Sequence, residues 1–458
     1  MKLETRNPKV KGKASRQKSE TRNQKLEITS ACHSERGEES SQFRNSPTAE
    51  ILRFAQNDTG GAQNDTGQAQ NDAGGVQNDS ARQKLQGKPV SFQFLISNFC
   101  FLICCFCIPV SLAMGAAAGD PGAAEALIEA GHWKRARAIV EPGVAANPRD
   151  AQAICLLSRI KLAFGDLDGA LKSAQQAVAL EDGNSDFHFR LADVYGEMAA
   201  RANMFVAASL ARKFKAELDA SLARNPKNLD ALDALMQYSN QAPGMMGGDK
   251  EKARAIAEEL VKLSPVRGYL AQAELALEAK DFAKVEDCFL KAVQADAKNY
   301  EAQTALARFY TQPIHRNTEV AGKHARKAVQ LQPARAKGYS ILAFVLAFER
   351  RWSDLDAVLS ASEKAVPDDL TPYFEAASAL LESGVELKRG EAYLREYLAQ
   401  EPEGDEPDAA HAHRLLGLIL EKQGRSAGAV SELETAVQMS PRFKAAIDDL
   451  KRIKSGAP

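Results

Sequence analysis

Between about residue 119 and residue 455, apolar positions recur at helical spacing, in segments that come in pairs. In AQAICLLSRIKLAFGDLDGALKSAQQAVALEDGN, residues 151–184, Ile154, Leu157 and Leu180 are large and apolar, Ser158, Ala170 and Ala177 are small, and Gly165-Asp166 interrupts the run. That pattern predicts two helices joined by a tight turn. The small residues let neighbouring helix backbones approach, and the large ones fill the space between. Prolines then mark a fixed step: Pro265 to Pro333 is 68 residues and Pro333 to Pro367 is 34. Pro148, Pro226, Pro402 and Pro441 close other segments in the same way. Proline has no N–H to give to a continuing helix, so each one ends a second helix and opens the next unit. A period near 34 residues with two helices per unit predicts a solenoid.

Nine such units can be drawn: 117–150, 151–184, 185–228, 229–265, 266–299, 300–335, 336–369, 370–402 and 410–443. The eighth position is small in eight of them (Ala124, Ser158, Ala192, Ala273, Ala307, Ala343, Ala377, Gly417) and Met236 in the fourth. The twentieth is Ala136, Ala170, Ala253, Ala321, Gly390 or Ala429, with Val285 and Leu355 departing. Over about 325 residues this resembles the tetratricopeptide repeat family. The resemblance implies an all-α, right-handed superhelical solenoid of about nine helix-turn-helix repeats. FKAAIDDLKRIK (443–454), with its apolar inner face and basic end, suits a C-terminal capping helix. Repeats one to eight are expected over 117–402, a linker over 403–409, and the ninth repeat with its cap over 410–455. The stretch EGDEPDAA (403–410) is expected to be the longest, most exposed connection.

Composition divides the chain. Residues 1–90 carry 15 Lys/Arg against 11 Asp/Glu and the remainder carries 44 against 49, so neither part has the basic excess of a nucleic-acid binder. AQND at 55, 62 and 69, then VQND at 76, recur every seven residues in a Gln-, Asn- and Gly-rich stretch that cannot bury a core. Residues 1–90 are therefore expected to be disordered low-complexity sequence, ACHSERGEES resembling translated non-coding bacterial DNA. Translation is then expected to begin downstream, at an alternative codon such as Leu85 or at Met114. From Phe99 to Met114 the chain is almost purely apolar, with Pro109 and Ser111-x-Ala113 placed as in a cleaved signal peptide. Residues 91–113 are accordingly read as a signal peptide or N-terminal anchor. Any membrane association would run through residues 94–114, and the expected location is the bacterial periplasm or envelope. A start at Met114 would make the protein cytoplasmic. Five of seven cysteines fall in this leading region, leaving Cys155 and Cys288 as two expected buried thiols.

Candidate chemistry is sparse. QAPGMMGGDKEKA, residues 241–253, approaches a phosphate-binding loop at Gly244 and Lys250. Yet Asp249 replaces the glycine before the lysine and Glu251 the hydroxyl after it, and both would repel a triphosphate. Leu229, Leu232, Leu235 and Met236 also place a helix, not a strand, before it. It reads as a long turn, stopped by Pro243 and Gly244 and restarted by Asp249 as a helix cap. The competing function, a nucleotide- or ligand-regulated enzyme using residues 243–250, rests on this turn alone. Seven histidines show no metal-ligand spacing, and no nucleophile–base constellation is visible, so no catalytic residue, metal or cofactor is assigned.

The resemblance implies a non-catalytic scaffold or adaptor that binds a protein or peptide in the concave groove lined by its first helices. Groove positions include Arg159, Asp193, Gln237, Glu274, Arg308 and Phe344, a mixed surface with carboxylates around units three to five. No repeated Lys–Asn set is present, so the family's clamp for a terminal carboxylate is not implied. Unit three is ten residues long for the repeat. If each of its helices gains five, Met204 and Phe205 sit at a projecting apolar tip. Met245 and Met246 of the next unit's long turn are the expected cover or, together with that tip, an adaptable docking patch.

Overall fold

The computed structural model describes residues 120–404 and 407–456; the readings of the leading segments lie outside these residues. Among the described residues there are 19 α-helices and no strand. In chain order they are α1 Pro121–Ala130, α2 Trp133–Ala146, α3 Ala151–Ala163, α4 Leu167–Leu180, α5 Ser185–Ala200, α6 Met204–Arg224 and α7 Leu229–Gln241. Then follow α8 Lys250–Leu263, α9 Pro265–Glu278, α10 Phe282–Ala295, α11 Tyr300–Phe309, α12 Thr318–Leu331 and α13 Ala336–Phe348. The last are α14 Trp352–Ala365, α15 Thr371–Ser383, α16 Leu387–Tyr397, α17 Ala409–Lys422, α18 Ser426–Met439 and α19 Lys444–Lys454. They form nine antiparallel pairs and a final single helix, a solenoid.

Local chemistry sets the ends. Asp150, Asp166, Asn184, Asn228, Asp249, Asp281 and Asn299 each accept a backbone N–H from the first turn of the helix they precede. Such caps satisfy donors that the helix leaves without partners. Gly165 turns the chain from α3 to α4 at φ 77, a conformation that costs glycine little. Five of the eight connections between units have four residues, and four of these end in an Asn or Asp that caps the next helix, the fifth ending in Arg335.

Packing follows the small-residue slots. Ala124, Ala192, Ala307 and Ala377 are fully buried, and the Ser158 hydroxyl donates to the Ala170 carbonyl at 2.8 Å. The three departures are buried too, each facing a small partner: Met236 with Ala253, Val285 with Ala273, and Leu355 with Ala343. A pair of slots holds one large side chain or none, so a substitution in one is absorbed by the other.

First helices of successive units touch one another, as in α1–α3, α3–α5, α7–α9, α11–α13 and α15–α17, and no successive second helices are in comparable contact. The first helices therefore line the inside of the curve. The curve also returns on itself. Lys134 Nζ donates to the Asp368 carbonyl at 2.5 Å and to the Glu401 carbonyl at 2.7 Å, and Arg137 pairs with Glu401 at 2.7 Å. Arg442 donates to the Arg201 carbonyl. The turn of unit one thus lies against the connections that follow units seven and eight, and unit three meets the end of unit nine.

This seam corrects one expectation. The connection after α16 spans 398–408 and is the longest between units among the described residues, but it is not freely exposed. The Glu403 side chain is 2% exposed, and a Cβ on Gly404 would lie 2.9 Å from the Trp133 ring. Limited proteolysis should accordingly spare residues 401–404. A Lys134→Met/Arg137→Met variant should release the segment and make it an early cut; equal cutting in both proteins would refute the restraint.

The excess length of unit three is also shared differently from the expected five residues per helix. Helix α5 has 16 residues and α6 has 21, where α3 and α4 have 13 and 14. The extra turns at the start of α6 carry Met204, Phe205 and Val206 into solvent.

Candidate functional site: the inner face of the first helices

Polar side chains of the first helices connect unit to unit along the inner face. Arg159 on α3 reaches back to Glu129 on α1 at 2.6 Å, and Arg190 on α5 reaches forward to Asp230 on α7 at 3.1 Å. Arg267 on α9 binds the same Asp230 from the other side. Two arginines hold the Asp230 carboxyl below its ordinary range, although burial opposes them.

Beyond this paired rung lies a differently built stretch. Burial pushes the Asp193 carboxyl up to about 6 against the opposing pull of Arg190. It pushes Asp233 up to about 6 as well, with Arg267 opposing. The Glu274 carboxyl is raised by burial and then by the charge of Asp233. All three are part-exposed on the first helices α5, α7 and α9. Gln237, 4% exposed, joins two of them: its Nε2 donates to Glu274 Oε2 at 3.1 Å and to Asp233 Oδ2 at 3.4 Å. No ion pair forms at Asp193, Asp233 or Glu274 among the described contacts. The fold thus joins Gln237, Glu274 and Asp233, while Asp193 lies on α5 among Arg190, Glu197, Arg159 and Asp230.

Other expected groove residues are engaged within the protein. Arg308 on α11 reaches past α13 to Glu375 on α15 at 2.7 Å, with side chains 12% and 8% exposed. Phe344 is buried and stacked on Phe348 with ring centroids 6.2 Å apart. The guanidinium of Arg316 covers Phe348 at 4.2 Å. Both positions are thus engaged within the protein, and the carboxylate that Arg308 meets lies two units away, where single-unit reading does not show it.

The expected cover of the unit-three tip does not form. Phe205 is 82% exposed and Met245 is 95% exposed, so neither buries the other. Met246 turns inward onto the cluster of Leu210, Phe214 and Tyr238, and its carbonyl accepts the Tyr238 hydroxyl at 2.5 Å. The hydrogen bond to the Met246 carbonyl fixes the turn and leaves Met245 outside.

The glycine-rich turn has no phosphate-binding geometry. Residues Gly244–Met246 form a short 3-10 turn, and the Asp249 carboxylate accepts the N–H groups of Glu251 and Lys252. Those donors are the ones a phosphate would need at the start of α8. A cleft of about 470 Å³ lies beside it, between units four and five, lined by Lys250 and Arg254 but also by Glu258, Glu278 and Asp281.

One cluster escaped sequence reading. His132, Asp368 and Glu403, far apart in the chain, meet at the seam with their ligand-capable atoms within 4.8 Å of one another. Only the return of the superhelix on itself places them together, and no local spacing signals it.

Paired helices stacked into an array with a polar inner face define an α-solenoid. Within that class, a tetratricopeptide repeat family model matches residues 122–184 and 359–442, and the chain is similar to that family over those residues. Among solved structures, yeast Tom70 is similar at 15% identity and a TM-score of 0.42, covering 73% of this chain and 87% of that one. A tetratricopeptide repeat protein from Parabacteroides merdae is similar at 15% identity and a TM-score of 0.36, covering 66% and 98%. The Cut9-Hcn1 hetero-tetramer is similar at 14% identity and a TM-score of 0.38, covering 73% and 77%. No curated protein matches the chain.

Proposed function

We propose that this protein is a non-catalytic scaffold that receives a segment of another protein along the inner face of its first helices. The inner face made by stacked first helices is the observation that carries the reading. The stretch around Asp193, Asp233 and Glu274 gives it a preference. Carboxylates raised by burial, Asp193 and Asp233 to about 6 and Glu274 in the same direction, gain from a cation that replaces the lost solvation, so the favoured segment carries Lys or Arg.

Fluorescence anisotropy with basic and acidic peptides of equal length tests this. The basic peptide should bind at pH 7.5, and an Asp193→Asn/Asp233→Asn/Glu274→Gln variant should bind it about tenfold or more weakly, each tenfold being about 1.4 kcal/mol. Lowering the pH from 7.5 to 5 should also weaken binding. Below about 6, Asp193 and Asp233 take up protons and lose the charge that attracts the peptide. Equal or tighter binding of the acidic peptide, or a variant that binds normally, would remove the proposed preference.

We further propose export to a bacterial envelope, supported by the apolar run from Phe99 to Met114. Cell fractionation with N-terminal sequencing checks it; a soluble cytoplasmic protein beginning at Met114 would overturn it.

A further inference from the structure

The seam joins unit one to the connections after units seven and eight, and its centre is built from acceptors without enough donors. His132 precedes α2 and is 4% exposed. Its Nδ1 is buried and has no hydrogen-bond partner. A buried ring nitrogen without a partner, beside two carboxylates, can offer its lone pair to a metal in the neutral tautomer.

Glu403 is placed similarly. Its Oε1 accepts the Lys134 backbone N–H at 2.9 Å, whereas the buried Oε2 accepts no hydrogen bond. The Lys134 ammonium is 3.1 Å from Oε2 but is committed to the carbonyls of Asp368 and Glu401. Arg135 occupies Oδ1 of Asp368 at 2.5 Å. An imidazole nitrogen and two carboxylate groups thus present acceptor atoms within 4.8 Å of one another. A water offers two protons to three such acceptors. His132 Nδ1 has neither a hydrogen bond nor an ion pair, and a buried acceptor left so costs about 1–3 kcal/mol, which a cation there would recover.

We infer that His132, Asp368 and Glu403 form a site for a divalent metal ion of the zinc class, which clasps the first unit to the connections after the seventh and eighth. One imidazole and two carboxylates suit zinc with a water in the fourth position. Bonds of about 2.0–2.1 Å would draw the ligand atoms to roughly 3.4 Å apart, a side-chain adjustment of about 1 Å from the present spacing. Lys134 and Arg135 balance the two carboxylates without the metal. On binding, the ammonium gives up Oε2 and keeps its two carbonyls. The ligands come from three separate places in the chain, so the metal can be held only when the superhelix is closed.

Isothermal titration of zinc chloride into the full chain, with cysteines alkylated, tests the inference, and cobalt(II) absorption reports coordination. One equivalent should bind, with a visible spectrum of low-coordinate nitrogen–oxygen cobalt and a raised melting temperature. His132→Ala and Glu403→Gln should each lose that equivalent, a larger effect than the about 10–100-fold typical of outer partners. Circular dichroism must show the variants folded; if one is not, Asp368→Asn serves in its place. His411→Ala/His413→Ala, whose rings pair with Asp408 and Glu432, should retain it. Absence of zinc uptake at millimolar concentration, or uptake that survives His132→Ala, overturns the site.

Discussion

Replacing Arg308 by Met should destabilise the solenoid by about 3–5 kcal/mol, the cost typical of leaving one half of a buried ion pair. The Arg308 guanidinium and the Glu375 carboxylate meet at 2.7 Å with 12% and 8% of their side chains exposed. The substitution strands Glu375 as a buried charge on α15 with its salt-bridge partner removed. Urea unfolding followed by circular dichroism should show the loss, and hydrogen exchange should localise it to units six to eight, because a repeat array couples mainly neighbouring units. Adding Glu375→Gln should recover more than half, because the penalty belongs to the stranded charge more than to the lost attraction. A loss under about 1 kcal/mol, or a double variant no better than the single one, would mean that water reaches the pair and screens it.

Arg308 also marks what the sequence could and could not disclose. Its place on a first helix was readable from the repeat, because the period of small and large residues constrains every unit in the same way. Its partner was not readable, since Glu375 lies two units on and no local spacing relates them. The same distinction separates Gln237 and Glu274, which lie on successive first helices and are hydrogen-bonded, from His132, Asp368 and Glu403. The latter meet only because the superhelix returns on itself. Even the connection at 398–408 follows this logic. Its length was legible, but its burial depends on Trp133 and Lys134, more than 260 residues away. Exposure of Met245 failed to be foreseen for a smaller reason: the Tyr238 hydroxyl fixes the turn through the Met246 carbonyl, turning one methionine in and its neighbour out.

Gly268→Ala should cost about 3 kcal/mol, whereas Gly338→Ala, at the same third position of its unit, should change stability by no more than about 1 kcal/mol. The difference originates in one connection. Between α8 and α9 only Ser264 intervenes, with Pro265 already the first residue of the second helix. The two helices therefore meet without the four-residue spacer found elsewhere, and Gly268 lies against the α8 backbone. A Cβ there would be 2.1 Å from Val261 N, 2.3 Å from Val261 Cα and 2.6 Å from Leu260 C. Backbone cannot yield as a rotamer can, so α8 or α9 must shift, disturbing Leu260 and Ala271 in the shared cluster. At Gly338 the nearest atoms are Val329 Cγ2 at 3.1 Å and Val329 N at 3.2 Å, a strain of a few tenths of an ångström. Alanine's better helix propensity, worth about 1 kcal/mol over glycine, offsets much of that strain and little of the other. Thermal and urea unfolding of the two variants beside the unmodified chain decide the matter. Equal tolerance at both positions would show that the α8–α9 contact is looser than these distances require, and that the one-residue connection can open without cost.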